Sequence, residues 1–340
     1  MAYTTINKSS DYFNTKLYTG NGSNGHAITG VGFQPDFVWI KDRDTATNHM
    51  VTDAVRGATK TLHTQNTDVE STAVNALSSF NTDGFTVNTD TDLNANNKKN
   101  VAWNWKANGA GSANTEGSVS ATVSANTTAG FSIVQYNTAG SGTQTMGHGL
   151  DSAPTFIITK PTQNSESWYV YIPTGVSSSL RLNTTAAAVS STPYAGTPTD
   201  TLFSINNGVI GGYTGVISYC FTDVKGYSKF GSYTGNGNAD GPFVYTGFKP
   251  AFVMVKESSS TGSWCIFDNK RLGRNPNNPR LYPNNSGAED ASETIFDIVS
   301  NGFKIRGDQS DTNASGQTYI YAAFAEAPLV GTNNVPCTAR

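Results

Sequence analysis

Tyr18-Thr19-Gly20-Asn21-Gly22 returns unchanged as Tyr233-Thr234-Gly235-Asn236-Gly237 later in the 340-residue chain. Each copy leads into a Gly-Phe-x-Pro strand, which reads GFQPDFVWIK at residues 32–41 and GFKPAFVMVK at residues 247–256. A degenerate middle copy, PTFIITK at residues 154–160, lies between them. Triplication of a unit of about 100 residues predicts tandem modules, because each repeat of this kind is one structural unit. It favours a surface or an assembly over a single catalytic pocket.

The composition favours an all-β fold. Only 14% of the residues are charged, while aromatic residues reach 11% and the chain holds 34 glycines. Aromatic and β-branched residues separated by polar, Gly-rich turns are typical of short strands and not of helices. The first and last strands of each repeat carry alternating aromatic residues, which suits a sandwich that brings them side by side. We therefore predict three tandem antiparallel β-sandwich repeats of the jelly-roll or lectin type.

The repeat borders divide the chain into five segments. They are an N-terminal arm (1–16), repeat 1 (17–107), repeat 2 (118–223), repeat 3 (228–327) and a C-terminal tail (328–340). The Gly/Ala/Ser-rich stretch at 107–114 predicts a flexible tether. The second linker, at 223–227, is shorter and predicts tighter packing of repeats 2 and 3. The arm reads either as a first edge strand of repeat 1 or as a peptide that docks onto a partner, and the sequence leaves both open.

Charge and cysteine content argue against several classes of protein. The net charge is −3 and no dense Lys/Arg cluster is present, so the chain lacks the electrostatic signature of nucleic-acid binding. Cys220, Cys265 and Cys337 are scattered and odd in number, which argues against a disulfide framework or a zinc site and favours folding in a reducing cytosol. No signal peptide or membrane-spanning run is visible, so we expect no membrane insertion.

One polar pair recurs between repeats. Asp53 is followed by Arg56 in repeat 1, and Asp268 by Arg271 at the equivalent place in repeat 3, whereas repeat 2 has Pro173 there. Such a pair binds a polar ligand group or calcium in some proteins, but more often it is an ion pair that fixes a loop. We favour the structural interpretation and keep the four residues as candidate binding residues.

Tryptophans are the second group of candidates. Trp39, Trp168 and Trp264 recur at strand positions, where packing is their usual role. Any of these rings that faced outward would offer a platform for stacking on sugar rings, with neighbouring polar side chains bonding the hydroxyls. The sequence does not decide which rings are exposed.

Catalytic and metal-binding patterns are missing from the sequence. The four histidines form no His-x-x-x-His or His-Glu pair and have no Gly-x-Ser-x-Gly partner. His148, flanked by glycines, reads as a turn histidine. The stretch at 88–94 has spaced oxygen ligands but lacks the Gly and the terminal Glu of a helix-loop-helix calcium site. We predict no enzymatic activity, no catalytic residues, no cofactor and no metal.

The repeated signature, from Tyr-Thr-Gly-Asn-Gly through Asp-x-x-Arg to the closing Ala-Trp-Asn-Trp-Lys at 102–106, resembles virion or tail-fibre-like structural proteins of tailed bacteriophages, notably marine ones. Its most specific stretch is 227–237, and the resemblance extends from Tyr18 to Arg340. It implies a phage structural component and supplies no catalytic residues. The middle repeat departs most, which puts in doubt any ligand site common to all three repeats.

The resemblance and the composition together lead to one functional expectation. We expect a tail-fibre or appendage component involved in host-surface attachment, assembled in the host cytoplasm and located on the virion. The expected partners are other virion proteins bound through the N-terminal arm, a host-surface glycan, and further copies of the chain in a homotrimer. A capsid decoration or head-fibre protein is the alternative. A glycan depolymerase is disfavoured because its paired acidic residues are not apparent.

Overall fold

The fold is almost entirely β, as predicted. A computed structural model describes residues 3–171, 178–272, 274–276 and 279–336. Strands account for 42% of it and helices for 5%, in several antiparallel sheets without a closed barrel. This confirms the all-β sandwich class. Pro173 and Cys337 lie outside the described residues.

Repeat 1 pairs a large sheet with a small one. Its elements are β1 (Phe13–Thr19), β2 (His26–Thr29), β3 (Phe37–Asp42), β4 (Met50–Asp53), β5 (Lys60–His63), β6 (Ser71–Thr72), β7 (Leu77–Asn81), β8 (Gly84–Val87), α1 (Thr91–Asn94) and β9 (Lys99–Trp105). The large sheet has the order β1-β9-β3-β4-β5-β6, and the small sheet has the order β2-β8-β7. A 3-10 helix at Ser9–Asp11 precedes them. Edge strand β1 therefore begins inside the segment that we had assigned to the arm.

Repeat 2 repeats this plan with extra strands. Its elements are β10 (Ser112–Asn114), β11 (Ala121–Asn126), β12 (Phe131–Tyr136), β13 (Thr143–Gly147), β14 (Phe156–Pro161), β15 (Tyr169–Tyr171), β16 (Leu180–Arg181), β17 (Leu202–Asn206), α2 (Asn207–Ile210) and β18 (Val216–Phe221). The sheets have the orders β10-β11-β12-β18-β14-β15-β16 and β13-β17. The expected flexible tether at 107–114 is wrong, since β10 pairs with β11 and Ala107 is buried.

The large sheet of repeat 3 has fewer strands than those of repeats 1 and 2. Its elements are β19 (Ser228–Thr234), β20 (Phe243–Tyr245), β21 (Phe248–Glu257), β22 (Cys265–Asp268), β23 (Phe296–Val299), β24 (Gly302–Ile305), α3 (Ser310–Asn313) and β25 (Thr318–Pro328). The large sheet has the order β19-β25-β21-β22, and the small sheet has the order β20-β24-β23. β20 is thus an edge strand.

The large sheet of each repeat is covered on both faces. In β3, Val38 and Ile40 point toward the small sheet of the same repeat and join its local core. Their neighbours Phe37 and Trp39 point to the opposite face, because side chains alternate along a strand. All six residues of β3 are buried. A second apolar layer therefore has to cover the outer faces of the three large sheets.

That second layer is a core common to all three repeats. Trp105, Phe221 and Phe324 occupy the same register position in the closing strands β9, β18 and β25. The rings of Trp105 and Phe324 lie 5.5 Å apart, those of Phe221 and Phe324 5.6 Å, and those of Phe37 and Tyr219 4.4 Å. The three sandwiches thus face one another around a pseudo-threefold axis. The arrangement of separate modules in a row, which the repeat suggested, is replaced by one body.

Backbone hydrogen bonds close the ring of repeats in the same cyclic sense. In each bond, an amide of one repeat donates to a carbonyl of the next repeat. The acceptor residue lies two positions after Lys41, Lys160 or Lys256, which are equivalent residues in the three copies. The three bonds are Glu70 N to Thr162 O (2.7 Å), Ala188 N to Ser258 O (2.9 Å) and Glu289 N to Arg43 O (2.9 Å). Such bonds fix the repeats relative to one another, since buried backbone groups require partners.

Candidate functional site

The repeated Tyr-Thr-Gly-Asn-Gly segment is a structural latch. The Tyr18 hydroxyl donates to Leu93 O (2.8 Å), and the equivalent Tyr233 hydroxyl donates to Thr312 O (2.7 Å). A side chain at Gly20 would place its Cβ 2.2 Å from a backbone carbonyl oxygen of the facing loop. The segment therefore lies directly on the short helix of its own repeat, and its glycine permits that approach.

A buried asparagine at the end of each of these helices completes the latch. Asn94 Nδ2 donates to Ser23 O (2.9 Å) and Asn88 O (2.6 Å), and its Oδ1 accepts from Asn21 N (2.9 Å). Asn313 makes the equivalent bonds in repeat 3. Because a buried amide without partners is costly, these bonds fix the loop. The polar groups of the repeated Tyr-Thr-Gly-Asn-Gly motif are therefore used in hydrogen bonds within their own repeat.

The Asp53–Arg56 pair lies at the contact between repeats 1 and 2. Arg56 Nε lies 2.5 Å from Asp53 Oδ2, and Arg56 also contacts Glu70 at 3.1 Å. The Tyr219 hydroxyl of repeat 2 donates to the same Asp53 oxygen at 2.8 Å. Burial lowers the pKa of Arg56, but Asp53, Tyr219 and Glu70 outweigh it and raise that pKa above its ordinary value. The pair joins two repeats and presents no open face to a ligand.

Asp268 and Arg271 do the same between repeats 3 and 1. Arg271 Nε lies 2.6 Å from Asp268 Oδ2, and both side chains are fully buried. Trp103 of repeat 1 donates its Nε1 proton to Asp268 Oδ2 at 3.1 Å, and the Arg271 guanidinium lies 5.8 Å from the Trp103 ring centre. In register, Ala322 of repeat 3 takes the place of Trp103 and Tyr219. An Asp–Arg pair is therefore present where the adjoining repeat supplies Tyr219 or Trp103, whose side chains donate a hydrogen bond to the aspartate.

The candidate tryptophans are all buried. Trp39, Trp168 and Trp264 are no more than 2% exposed. The indole of Trp168 donates to His63 O and that of Trp264 donates to Arg181 O, each at 2.9 Å and each in the preceding repeat. The sequence left open whether any of these rings is exposed, and the structure buries all three, because both faces of their sheets are covered.

Three buried lysines occupy equivalent positions in the three repeats and were not singled out by the sequence analysis. Lys41, Lys160 and Lys256 are the penultimate residues of β3, β14 and β21, and burial lowers the pKa of each to about 8. Lys160 Nζ donates to Thr67 O and Lys256 Nζ donates to Thr185 O, both at 3.3 Å in the preceding repeat. A lysine follows the apolar run in all three copies, and this recurrence in the sequence could have identified them. Each ammonium is enclosed by carbonyl oxygens, which is a structural role.

A known protein family covers nearly the same part of the chain as the three repeats. A family model described as a domain of unknown function, DUF7483, matches residues 8–328. The chain belongs to this family. No curated protein and no solved structure matched it. The DUF7483 domain, as its model defines it, therefore comprises all three repeats, including their shared core.

His148, the glycine-flanked histidine of the DUF7483 domain, is hydrogen-bonded to the backbone of its own repeat. His148 is buried between Thr199 O (3.0 Å from Nε2) and Leu150 N (3.1 Å from Nδ1). Because Leu150 N donates to Nδ1, that nitrogen accepts and Nε2 carries the proton that it donates to Thr199 O. Burial lowers the pKa of this ring. Within the described ranges, no group of three or more His, Cys, Asp or Glu side chains could hold a metal ion. Those ranges also contain no helix long and apolar enough to cross a membrane.

What the DUF7483 domain leaves open is a surface on repeat 3. Phe243 and Tyr245 in edge strand β20 are 48% and 52% exposed, among the few large apolar side chains exposed in the described residues. Beside them, the Tyr3 hydroxyl donates to Gly247 O (2.9 Å). Tyr3 in turn lines an open cleft of about 460 Å³. We name these three aromatic residues the β20 platform.

Sequence reasoning missed the β20 platform because an exposed aromatic residue has no distinct pattern. The three repeats offer a comparison that could have found it. The equivalents of Phe243 and Tyr245 in repeat 1 are Ala27 and Thr29, as the pairing of β2 with β8 and of β20 with β24 shows. Both equivalents are exposed. The fold therefore does not need aromatic rings at these positions.

Proposed function

We propose that this chain is a structural protein of a tailed-bacteriophage virion, a component of a tail fibre or similar appendage that takes part in host-surface attachment. The observation that carries the proposal is that the recurring polar residues are buried and bonded within the fold itself. The two ion pairs, Lys160 and Lys256 join neighbouring repeats, and the asparagine latches fix loops within a repeat. A rigid body with variable exposed loops suits recognition at a particle surface, because binding residues gather on loops held by a scaffold.

The proposed partners are other virion proteins, reached through the N-terminal arm. In the arm, Ile6 is buried in the shared core, whereas Thr5, Asn7 and Lys8 are exposed. Asn7 Nδ2 donates to Thr332 Oγ1 of the C-terminal tail (2.6 Å). Docking would therefore use a fixed surface and not a free peptide. A homotrimer, a further part of the proposal, would be assembled from bodies that each have an internal pseudo-threefold axis.

Labelling of virions tests the proposal directly. Antibody raised against the purified chain is added to intact phage particles, and bound gold conjugate is located by electron microscopy. Label on the tail fibres or another tail appendage supports the proposal. Label distributed over the head identifies a capsid decoration or head-fibre protein instead, and particles without the chain refute a virion role.

A second measurement tests the docking surface. Because Ile6 is part of the core, deletion of residues 1–16 would unfold the chain, so the test uses Thr5→Lys combined with Lys8→Glu. Both side chains are exposed, and the variant should keep the wild-type melting temperature. Loss of its incorporation into particles supports docking through the arm, and normal incorporation contradicts it. Light scattering on the isolated 36.0-kDa chain separates monomer from homotrimer.

A further inference from the structure

The β20 platform is a departure from the pseudo-threefold symmetry. Val244 in β20 and Ile28 in β2 both point to the buried face of their small sheet. The residues on either side of them in each strand therefore point to solvent. Repeat 1 presents small or polar side chains on that face. In repeat 2, the face of the corresponding strand β13 is covered, since Thr145 is hydrogen-bonded to Ser118 and Gly147 is buried. Because repeat 1 leaves the same face exposed without aromatic rings, packing does not account for them.

The rings form a continuous surface with the N-terminal arm. Phe243 lies against Gly302, with a ring atom 3.2 Å from where a Cβ at that glycine would stand. At Gly247, the same measure places the Tyr3 hydroxyl 2.9 Å away and the Tyr245 hydroxyl 3.6 Å away. The two tyrosine hydroxyls thus meet at one point. The arm that supplies Tyr3 is itself found only once in the chain, beside this repeat.

Beyond Tyr3, the surface continues into a cleft lined mainly by hydroxyl groups. Its hydroxyl-bearing side chains, besides Tyr3, are Thr4, Thr5, Thr127, Thr128, Ser152 and Thr222. The volume of about 460 Å³ falls within the range of ligand pockets, about 300–1,000 Å³. Hydroxyls both donate and accept, so a lining of this kind matches a ligand that carries many hydroxyls.

Most of the charges around the surface are paired. Lys304 pairs with Asp240 at 2.7 Å beside Phe243. At the cleft, Asp223 pairs with Lys229 at 3.5 Å, and Lys225 lies over the Tyr3 ring, 4.4 Å from its centre. A charged ligand would have to compete with these contacts, which favours a neutral one.

The size of the apolar patch argues against a protein partner. Two aromatic residues that are each about half exposed offer roughly 200 Å² together, since such residues bury about 150–250 Å² when fully covered. A stable protein interface buries about 800 Å² per partner. Flat rings next to hydroxyl groups suit the apolar face and the hydroxyl edge of a sugar ring.

We propose that the β20 platform and the adjoining hydroxyl-lined cleft form a binding site for a neutral oligosaccharide. The rings of Phe243 and Tyr245 stack on sugar faces, and the cleft bonds the hydroxyls of the units that follow. This inference rests on the proposed attachment function, for which it names the class of receptor.

A printed array of neutral hexose and N-acetylhexosamine oligosaccharides, with acidic oligosaccharides beside them, tests the site. The neutral oligosaccharide that gives the strongest signal is then titrated calorimetrically into the wild-type chain and the variants. We expect Tyr245→Ala and Phe243→Ala each to raise the Kd at least tenfold. Tyr245→Phe, which keeps the ring, should stay within threefold of wild type. Thr29→Ala, at the equivalent exposed position of repeat 1, is the matched control and should change nothing.

Three results would overturn the inference. They are an array without any bound neutral oligosaccharide, a Kd that neither alanine variant changes, and a wild-type dimer that Tyr245→Ala converts to a monomer in the ultracentrifuge. The last result would identify the rings as a contact between copies. None of them moves the antibody label on the virion, so failure of this site and failure of the proposed function are distinguishable.

Discussion

Replacing Arg271 with methionine should weaken the whole body and not only the loop that holds it. The guanidinium lies 2.6 Å from Asp268 Oδ2, donates to Ile266 O at 2.7 Å and contacts Glu289 at 3.3 Å, with its side chain fully buried. Methionine fills similar volume but removes the guanidinium that lies 2.6 Å from the Asp268 carboxylate. Breaking a buried pair in this way costs about 3–5 kcal/mol.

That cost sets the size of the expected effect. A chain of this length has an unfolding entropy of about 0.7 kcal/mol/K at its midpoint, so the loss corresponds to a melting temperature lower by about 4–7 °C. Thermal and urea denaturation followed by circular dichroism measure it. Arg274→Met is the matched control, because Arg274 is exposed and lies three residues further along.

The same experiment tests the coupling between repeats. Trp103→Phe removes the indole donor of repeat 1 that reaches Asp268. A double-mutant cycle of Trp103→Phe with Arg271→Met should give an interaction energy above about 0.5 kcal/mol, as expected for residues in one network. If the free energies of unfolding of the Arg271→Met and Arg274→Met variants differed by less than about 0.5 kcal/mol, the reasoning would be refuted. The buried pair would then contribute no more to stability than an exposed arginine does.

Three further outcomes are expected. Gly20→Ala should destabilise by about 1–3 kcal/mol in urea titrations, because its Cβ would lie 2.2 Å from a carbonyl oxygen, whereas Gly140→Ala in open space should stay within about 0.5 kcal/mol of wild type; equal effects would contradict the latch. Burial raises the pKa of the Cys220 and Cys265 thiols, so both should resist a maleimide until the chain unfolds and then react at the same urea concentration; earlier labelling of one would show independent repeats. Burial, with the nearby positive charges of Lys41 and Arg271, holds the pKa of His49 well below its ordinary value. Because the unfolded chain takes up this proton below about pH 6.5 and the folded chain does not, stability should fall between pH 7 and 5. Urea midpoints at pH 7, 6 and 5 should fall less steeply for His49→Gln, and parallel curves would contradict this role.

Much of the fold could be read from the sequence. The alternation of Val101, Trp103 and Trp105 predicts a closing strand, and the structure has β9 there, antiparallel to β1 and β3. The tight reversal that Asp83-Gly84 favours is present, with Thr82 and Asp83 forming the turn between β7 and β8. Such local features follow from residue-by-residue geometry, which a single repeat already contains.

The shared core could not be read in the same way. The runs FVWI at 37–40 and FVMV at 252–255 are apolar at every position, a pattern of strands buried on both faces. Apolar continuity indicates that a second layer exists, but not that the layer is supplied by the other two repeats. The sequence therefore left Trp168 and Trp264 open as exposed rings, although each reaches into the preceding repeat.

The candidate site was the least predictable part. The sequence favoured a structural role for the recurring Asp and Arg residues because such ion pairs are frequent. It gave no sign of their contacts with Tyr219 and Trp103, which depend on how the repeats pack together. Phe243 and Tyr245 are two aromatic residues among many in the sequence. Only their exposure, set against Ala27 and Thr29 in an equivalent strand, separates them from core residues.

The claim that three repeats form one body has a direct test in small-angle X-ray scattering of the isolated chain. A compact chain of 340 residues has a radius of gyration of about 20 Å. Three modules of about 100 residues placed in a row, each with a radius of gyration of about 13 Å, would give roughly 26–28 Å. For the monomer, we predict a value near 20 Å with a single symmetric peak in the distance distribution. A value near 27 Å with an extended tail would contradict the shared core.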